Sequence, residues 1–211
     1  MTEPNGGDLV AAVPFSGETR MTKKTYLNAQ EYLRDIWRLG RQILDSGWVP
    51  DVLLALWRGG AEVGVGVHEY LKVHGISPRH MPIKCSSYTG IGSSVSEVKF
   101  EHADGVLEKL APGSKVLVLD DVFDTGRTAA AVHARLEARG CEMKMACVYW
   151  KPEKNVTEFS PDFHVRTLSE WIVFPHEIED LCPEEIAEKD PVLASLVRTD
   201  RFCGNREEVK G

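Results

Sequence analysis

The sequence predicts an α/β protein with a mostly parallel central sheet flanked by helices and with a small hood or tail addition. The first observation is the unbroken apolar run Val116–Leu119, which is typical of a strand buried on both faces of a parallel sheet. The second is the alternation of strand patterns and helix patterns, which gives two βα units. A chain of 211 residues is long enough for one such domain with its own core.

The predicted elements follow one another in a simple order. Residues 1–24 are rich in Gly, Pro and Thr and are expected to form a loose arm before a domain over 25–182. The predicted elements are a helix over Leu27–Leu44 with an Asn28–Glu31 capping pattern, a strand over Asp51–Trp57, a helix over Ala61–Val73, a strand over His80–Tyr88, a Gly/Ser loop over Thr89–Ser96, a mixed segment over Val98–Leu110, a strand over Lys115–Leu119, a helix from Gly126 to Arg139, and a strand over Cys141–Trp150. An amphipathic tail over 183–211 is expected to dock on the domain as one or two helices.

Composition excludes several classes of function. The net charge of −7 argues against a general binder of nucleic acid or of membrane surfaces. Five cysteines without a C-x-x-C pair favour a reduced, cytoplasmic setting over a zinc or disulfide framework. We expect no membrane span, since no apolar run reaches about 18 residues, and no secretion signal at the N-terminus.

The segment Val116–Thr128, VLVLDDVFDTGRT, carries the strongest chemical signal. Its strand leads into two adjacent carboxylates, Asp120 and Asp121, and the next helix begins near Gly126 with backbone N–H groups free to face an anion. The carboxylates would bind the hydroxyls of a sugar phosphate and any metal, and the backbone amides would bind the phosphate group of the same ligand. The segment therefore predicts a sugar-phosphate site.

Three other motifs do not fit the chain. A P-loop would need Gly-Lys-Ser/Thr, but Arg127 follows Gly126. A dinucleotide fingerprint would need a third glycine where Glu69 stands, and an Asp-x-Asp phosphatase would need a carboxylate at Val122.

The pattern that fits position by position is an apolar strand, an acidic pair, two residues and then Asp-Thr-Gly-x-Thr. This segment resembles the PRPP-binding signature of type I phosphoribosyltransferases. The resemblance implies that Asp120 and Asp121 engage the ribose hydroxyls, directly or through Mg²⁺. It also implies a cradle for the 5′-phosphate, formed by Thr125, Gly126, Arg127 and Thr128.

The same resemblance assigns roles to other segments that follow strands. Arg58 and Gly59 are similar to the loop that contacts the pyrophosphate of PRPP, although Trp57 replaces the small residue often found before the Arg. Ser87 and Tyr88 resemble the start of the mobile catalytic loop, a lid that would exclude water from a cationic ribosyl species.

The base would be read by three segments of the chain. Asp124 is implied to hydrogen-bond the purine N7 and to shuttle a proton, although an N-cap of the following helix is an alternative. Lys151 matches the lysine that donates to O6 of the base. Trp171 is the candidate to stack on the purine, with Ile172 beside it, and a core tryptophan is the alternative.

The resemblance is closest to the xanthine–guanine and hypoxanthine group, whose members act on 6-oxopurines. It implies an enzyme of purine salvage that uses PRPP, Mg²⁺ and a free purine base, and a homo-oligomer, either a dimer or a tetramer. Two alternatives stay open: a phosphoribosyltransferase for another heterocyclic acceptor, and a regulatory protein that senses PRPP or nucleotide.

Overall fold

The computed structural model describes residues 24–89, 96–101, 103–179 and 181–197. Its strands are β1 (Lys24–Tyr26), β2 (Val52–Trp57), β3 (Arg79–Thr89), β4 (Ser96–Glu101), β5 (Lys115–Phe123), β6 (Glu142–Trp150), β7 (Phe163–Thr167) and β8 (Trp171–Val173). Its helices are α1 (Ala29–Asp45), α2 (Gly60–Val73), α3 (Asp104–Leu107), α4 (Arg127–Glu137), α5 (Pro183–Lys189) and α6 (Pro191–Leu196). Within these ranges, none of the helices is long and apolar enough to cross a membrane.

Six strands form the main sheet in the order β4-β3-β2-β5-β6-β7. Neighbouring strands run parallel except β3 and β4, which are antiparallel. Strands β1 and β8 form a separate parallel pair, and β8 shares a small core with α5 through Val173 and Ile186. We call β1, β8, α5 and α6 the hood. The predicted parallel sheet with a small addition is confirmed.

The main sheet is covered on both faces, as its apolar strands require. Along β5, Leu117 and Leu119 pack on the face covered by α1 and α2. Val116 and Val118 pack on the opposite face, covered by α3 and α4. Successive strand residues point to opposite faces, so an unbroken apolar run fills both layers of the core.

The structure shifts several predicted boundaries. Strand β5 continues four residues beyond the predicted end at Leu119, because it keeps pairing with β6 as far as Phe123 and Trp150. The cap of α1 is confirmed, since the Asn28 side chain accepts hydrogen bonds from the first-turn N–H groups of α1. Lys24, placed in the loose arm by the sequence, is the first residue of β1.

The predicted Gly/Ser loop is framed by an antiparallel pair. Strand β3 extends to Thr89, which is paired with Ser96 at the start of β4. Residues 90–95 of the loop lie outside the described residues, and the mixed segment that follows forms β4 and α3. The catalytic lid expected at this hairpin therefore stays a prediction.

Candidate active site

The predicted site segments converge because they follow neighbouring strands. The Arg58-Gly59 turn follows β2, the Asp124–Thr128 turn follows β5, and Lys151 follows β6. Since β2, β5 and β6 are adjacent and parallel, all three turns leave the same edge of the sheet. Ser87 and Tyr88 lie in β3, the next strand, near its carboxyl end.

The acidic pair lies within β5. The Asp120 carboxylate accepts the Asp121 N–H at 3.0 Å, and the Asp121 carboxylate accepts the Val122 N–H at 2.7 Å. Burial, followed by repulsion from Asp121, raises the pKa of Asp120 well above its ordinary value. Burial also raises the pKa of Asp121. Two such carboxylates favour a ligand that supplies positive charge or hydroxyl donors.

Glycine at position 59 allows the β2 turn to touch this pair. A Cβ atom at Gly59 would lie 2.2 Å from Cγ of Asp121, and one at Gly60 would lie 2.2 Å from the Leu119 carbonyl oxygen. The sequence interpretation assigned Gly59 to a loop that contacts pyrophosphate. The structure adds that Gly59 and Gly60 let the turn pack directly on β5.

The turn after β5 has the geometry of an anion cradle. Gly126 has φ 78°, a left-handed conformation that favours glycine, and it is the N-cap of α4. The alternative of Asp124 as this N-cap is therefore wrong. A 280 Å³ cavity at this turn is lined by Asp120, Val122, Phe123, Asp124, Thr125, Gly126, Thr128, Ala129 and Met145. Arg127 begins α4, and its N–H reaches the Thr125 hydroxyl at 3.5 Å.

A segment that the sequence interpretation missed supports this turn. The Val156 N–H donates to the Thr125 carbonyl at 3.1 Å. A Cβ atom at Gly126 would lie 2.3 Å from the Thr157 hydroxyl and 2.6 Å from Asn155 Oδ1. Asx-type turns such as Asn155–Thr157 are common in loops, so no sequence signal linked this one to the cradle.

The residues predicted to read the base do meet. The Lys151 ammonium lies 3.5 Å from Asp124 Oδ2 and 5.8 Å from the centre of the Trp171 ring. Lys151 is only 5% exposed, whereas Trp171 is 49% exposed. A core role for Trp171 is therefore excluded. The ring is free to cover a planar ligand beside the Asp124–Lys151 pair.

Ile172 and Lys154 lie beside this group. The Ile172 side chain packs in the main core, so only its main chain is left to face a ligand. Lys154, to which the sequence interpretation gave no role, lies 3.7 Å from Asp124 Oδ2. A single 3₁₀ turn over Pro152–Lys154 brings it there, because residues three apart lie on one side of such a turn.

Arg58 lies at a second opening beneath the hood. Its guanidinium pairs with Glu179 at 3.0 Å, and both side chains are largely exposed. A 490 Å³ cavity here is lined by Lys24, Arg58, Trp171, Val173, His176, Glu177, Ile178, Glu179 and Leu181. The Trp57–Arg58 peptide bond is cis. Trp171 lines this cavity and contacts Lys151, so the opening adjoins the base-reading group.

The chemistry of the acidic pair suits Mg²⁺ held jointly with a substrate. Among the described residues, no group of three or more His, Cys, Asp or Glu side chains is arranged to hold a metal by itself. Mg²⁺ commonly takes one or two carboxylates together with water and substrate phosphates. Asp120 and Asp121 fit that limited role.

The parallel sheet, the acidic strand end and the glycine-started helix define the type I phosphoribosyltransferase fold. The phosphoribosyl transferase domain model matches residues 22–181, which is most of the chain. This protein therefore belongs to the phosphoribosyl transferase domain family.

Individual relatives agree with that assignment. Hypoxanthine-guanine phosphoribosyltransferase of Lactococcus lactis is 34% identical over 89 residues, which are 42% of this chain and 47% of the relative. The match thus spans about half the length of that relative. The purine phosphoribosyltransferase of Pyrococcus horikoshii is 27% identical, with a TM-score of 0.61 over 75% of this chain and 96% of its own. A Neisseria gonorrhoeae protein with bound ppGpp is 20% identical, with a TM-score of 0.66 over 84% and 99%, and supports the fold alone.

Proposed function

We propose that this protein transfers the 5-phosphoribosyl group of PRPP to N9 of a 6-oxopurine, giving the nucleoside 5′-monophosphate and pyrophosphate in purine salvage. The supporting observation is the Asp124–Lys151 pair beside Trp171. A 6-oxopurine offers the O6 acceptor next to N7, which complements an ammonium donor next to a carboxylate. Adenine would turn an amino donor toward Lys151 and be disfavoured. The names of the Lactococcus and Pyrococcus relatives support the same class.

PRPP would lie across the three turns. Its 5′-phosphate would sit at the start of α4, in the cradle from Thr125 to Thr128. Its ribose hydroxyls would reach the acidic pair, and its pyrophosphate would reach Arg58 and the Gly59 turn. The pyrophosphate would then replace Glu179 as the partner of the Arg58 guanidinium.

The reaction exchanges one bond at the ribose C1′. The bond from C1′ to the pyrophosphate oxygen breaks, and its electron pair leaves with pyrophosphate. The N9 lone pair then forms the new bond to C1′ with inversion, and the proton lost by the base is accepted by Asp124 at N7. Lys151 would hold O6, so positioning and electrostatics supply most of the catalysis.

Mg²⁺ bound with PRPP would supply positive charge to the pyrophosphate leaving group, with Asp120 and Asp121 as its protein partners. The hairpin that starts with Ser87 and Tyr88 would exclude water during transfer. We further propose a cytoplasmic homo-oligomer, a dimer or a tetramer, in which 25–182 is the catalytic domain and the described part of the tail, 183–197, packs on it; the rest of the predicted tail, 198–211, lies outside the described residues.

The test is pyrophosphate release from PRPP and Mg²⁺ with hypoxanthine, guanine, xanthine, adenine, uracil and orotate. Turnover confined to hypoxanthine, guanine and xanthine is expected. Because these three bases differ at C2 of the purine, their relative rates would also identify the preferred base. Turnover with adenine or a pyrimidine would overturn the base assignment. PRPP binding without turnover on any base would favour a sensor or a different acceptor.

A further inference from the structure

The hydroxyl of Tyr32 is a buried polar group with no hydrogen-bond partner in the part of the chain that the structure describes. Tyr32 lies in α1 and is 3% exposed. Its ring stacks on Tyr149 at 6.3 Å and meets the edge of Phe174 at 5.3 Å, which holds the side chain in one orientation. No described protein group lies within hydrogen-bonding distance of its hydroxyl oxygen. Burying a hydroxyl without a hydrogen bond lowers the stability of the folded protein, so such a group suggests a hydrogen bond that forms when a ligand is bound.

Tyr32 packs in the core layer that contains Leu119 and is covered by α1 and α2. Asp121 lies on this side of the sheet, against the turn that starts α2. A phenol carries its proton at neutral pH, so the Tyr32 hydroxyl can act as a donor. Burial, and then the nearby charges of Asp121 and Glu62, raise its pKa further. Glu62 already pairs with His176 at 3.0 Å. Asp121 is therefore the better acceptor for the Tyr32 hydroxyl.

The orientation of the Asp121 carboxylate is expected to influence the binding of PRPP. One of its oxygens accepts the Val122 N–H, and its carboxylate lies against Gly59 in the turn assigned to pyrophosphate. A hydrogen bond that fixes this carboxylate would fix its direction relative to both the ribose and the pyrophosphate.

We propose that Tyr32 is a positioning residue for Asp121, to which its hydroxyl donates a hydrogen bond when PRPP occupies the site. The donor holds the carboxylate toward the ribose hydroxyls and does not itself touch the reacting atoms. This inference rests on the proposed function, because it requires PRPP at the acidic pair.

Tyr149 provides a matched control. It stacks on Tyr32 and is buried to the same degree, but its hydroxyl donates to Asp35 at 3.4 Å, in the Arg166 ion pair. Tyr32→Phe and Tyr149→Phe therefore remove the same atom from adjacent rings. Tyr149→Phe removes the hydrogen bond to Asp35, whereas Tyr32→Phe removes the hydroxyl that we propose as a donor to Asp121.

The experiment measures the Kd of PRPP with Mg²⁺ by calorimetry, and the thermal unfolding midpoint without ligand, for wild type and both variants. Tyr32→Phe is expected to raise the Kd about tenfold or more, since a hydrogen bond to a charged acceptor is lost, and to leave the midpoint unchanged or higher. Tyr149→Phe is expected to lower the midpoint and leave the Kd unchanged. The KM for PRPP should follow its Kd, while the KM for the base stays constant.

Two results would overturn the inference alone: a wild-type Kd for Tyr32→Phe, or equal losses of PRPP affinity in both variants, which would indicate a packing role. Wild-type protein that binds no PRPP would overturn the proposed function together with this inference. The two failures are thus distinguishable in one set of titrations.

Discussion

The Lys151 ammonium and the Asp124 carboxylate lie 3.5 Å apart although they leave different strands, β5 and β6. The Lys151 N–H bonds to the Phe123 carbonyl at 2.9 Å, which fixes the two strand ends side by side. This contact places a donor and an acceptor next to each other beside an exposed indole ring. In the proposed function, this pair is the part of the site that would select a base.

Asp124→Asn should lower kcat by about 10²–10⁴-fold, because an amide cannot accept the proton from the base. PRPP binding should change little, since the cradle is made by the residues that follow Asp124. Steady-state pyrophosphate release and PRPP calorimetry on the same preparation check both points. Undiminished turnover would remove Asp124 from the mechanism.

Lys151→Met should raise the KM for 6-oxopurines about tenfold or more, because a buried charged donor to O6 is lost and a methionine of similar length fills the space. Lys154→Met is the matched control: its ammonium also faces Asp124, at 3.7 Å, but its side chain is 44% exposed. We expect a smaller effect there, since solvent screens an exposed pair. Base KM values for both variants are the measurement, and equal effects would contradict the assignment of O6 to Lys151.

Gly59→Ala should weaken PRPP binding, because the new Cβ atom would overlap the Asp121 carboxylate at 2.2 Å and force either the turn or the carboxylate to move. The comparison is Gly105→Ala, where nothing lies within 4 Å of the added atom. That change is expected to stabilise α3 by about 0.4–1 kcal/mol. PRPP titration and thermal unfolding separate the two effects, and an unchanged Kd in Gly59→Ala would refute the close-contact argument.

The hood should weaken in acid through Lys24 and Glu185. The hydrogen bond from Lys24 lowers the pKa of the Glu185 carboxyl below its unfolded value. The pair therefore contributes stability above about pH 4.3, and this contribution is lost as pH falls through the lower, folded pKa. Glu185→Gln should lower the free energy of unfolding by up to about 1 kcal/mol at pH 7, since both side chains are partly exposed.

Denaturant unfolding at pH 7 and at about pH 2–3 checks this prediction, because the difference between wild type and Glu185→Gln should vanish in acid. Glu188→Gln, an exposed change on the same helix, controls for net charge. A Glu185→Gln deficit that is equal at both pH values would show that packing, not the ion pair, is responsible.

Local pattern was sufficient for most of the fold. The apolar run before Asp120 predicted a buried strand, and the glycine and threonine after Asp124 predicted the start of a helix, since both signals are contiguous in the chain. Boundaries were less well predicted: β5 continues past the acidic pair because β6 lies alongside it. Pairing with a partner strand is not encoded in the strand's own pattern.

The sequence by itself determined the class of fold and the types of chemical group at the site, because strand periodicity, helix capping and the acidic motif are properties of neighbouring residues. Only the tertiary structure decided which atoms meet. The Lys154 contact with Asp124, the close packing of Gly59 on Asp121, and the stacking of Tyr32 on Tyr149 each join residues from separate elements. Such contacts depend on how strands and helices pack around one core, and no local pattern specifies that arrangement.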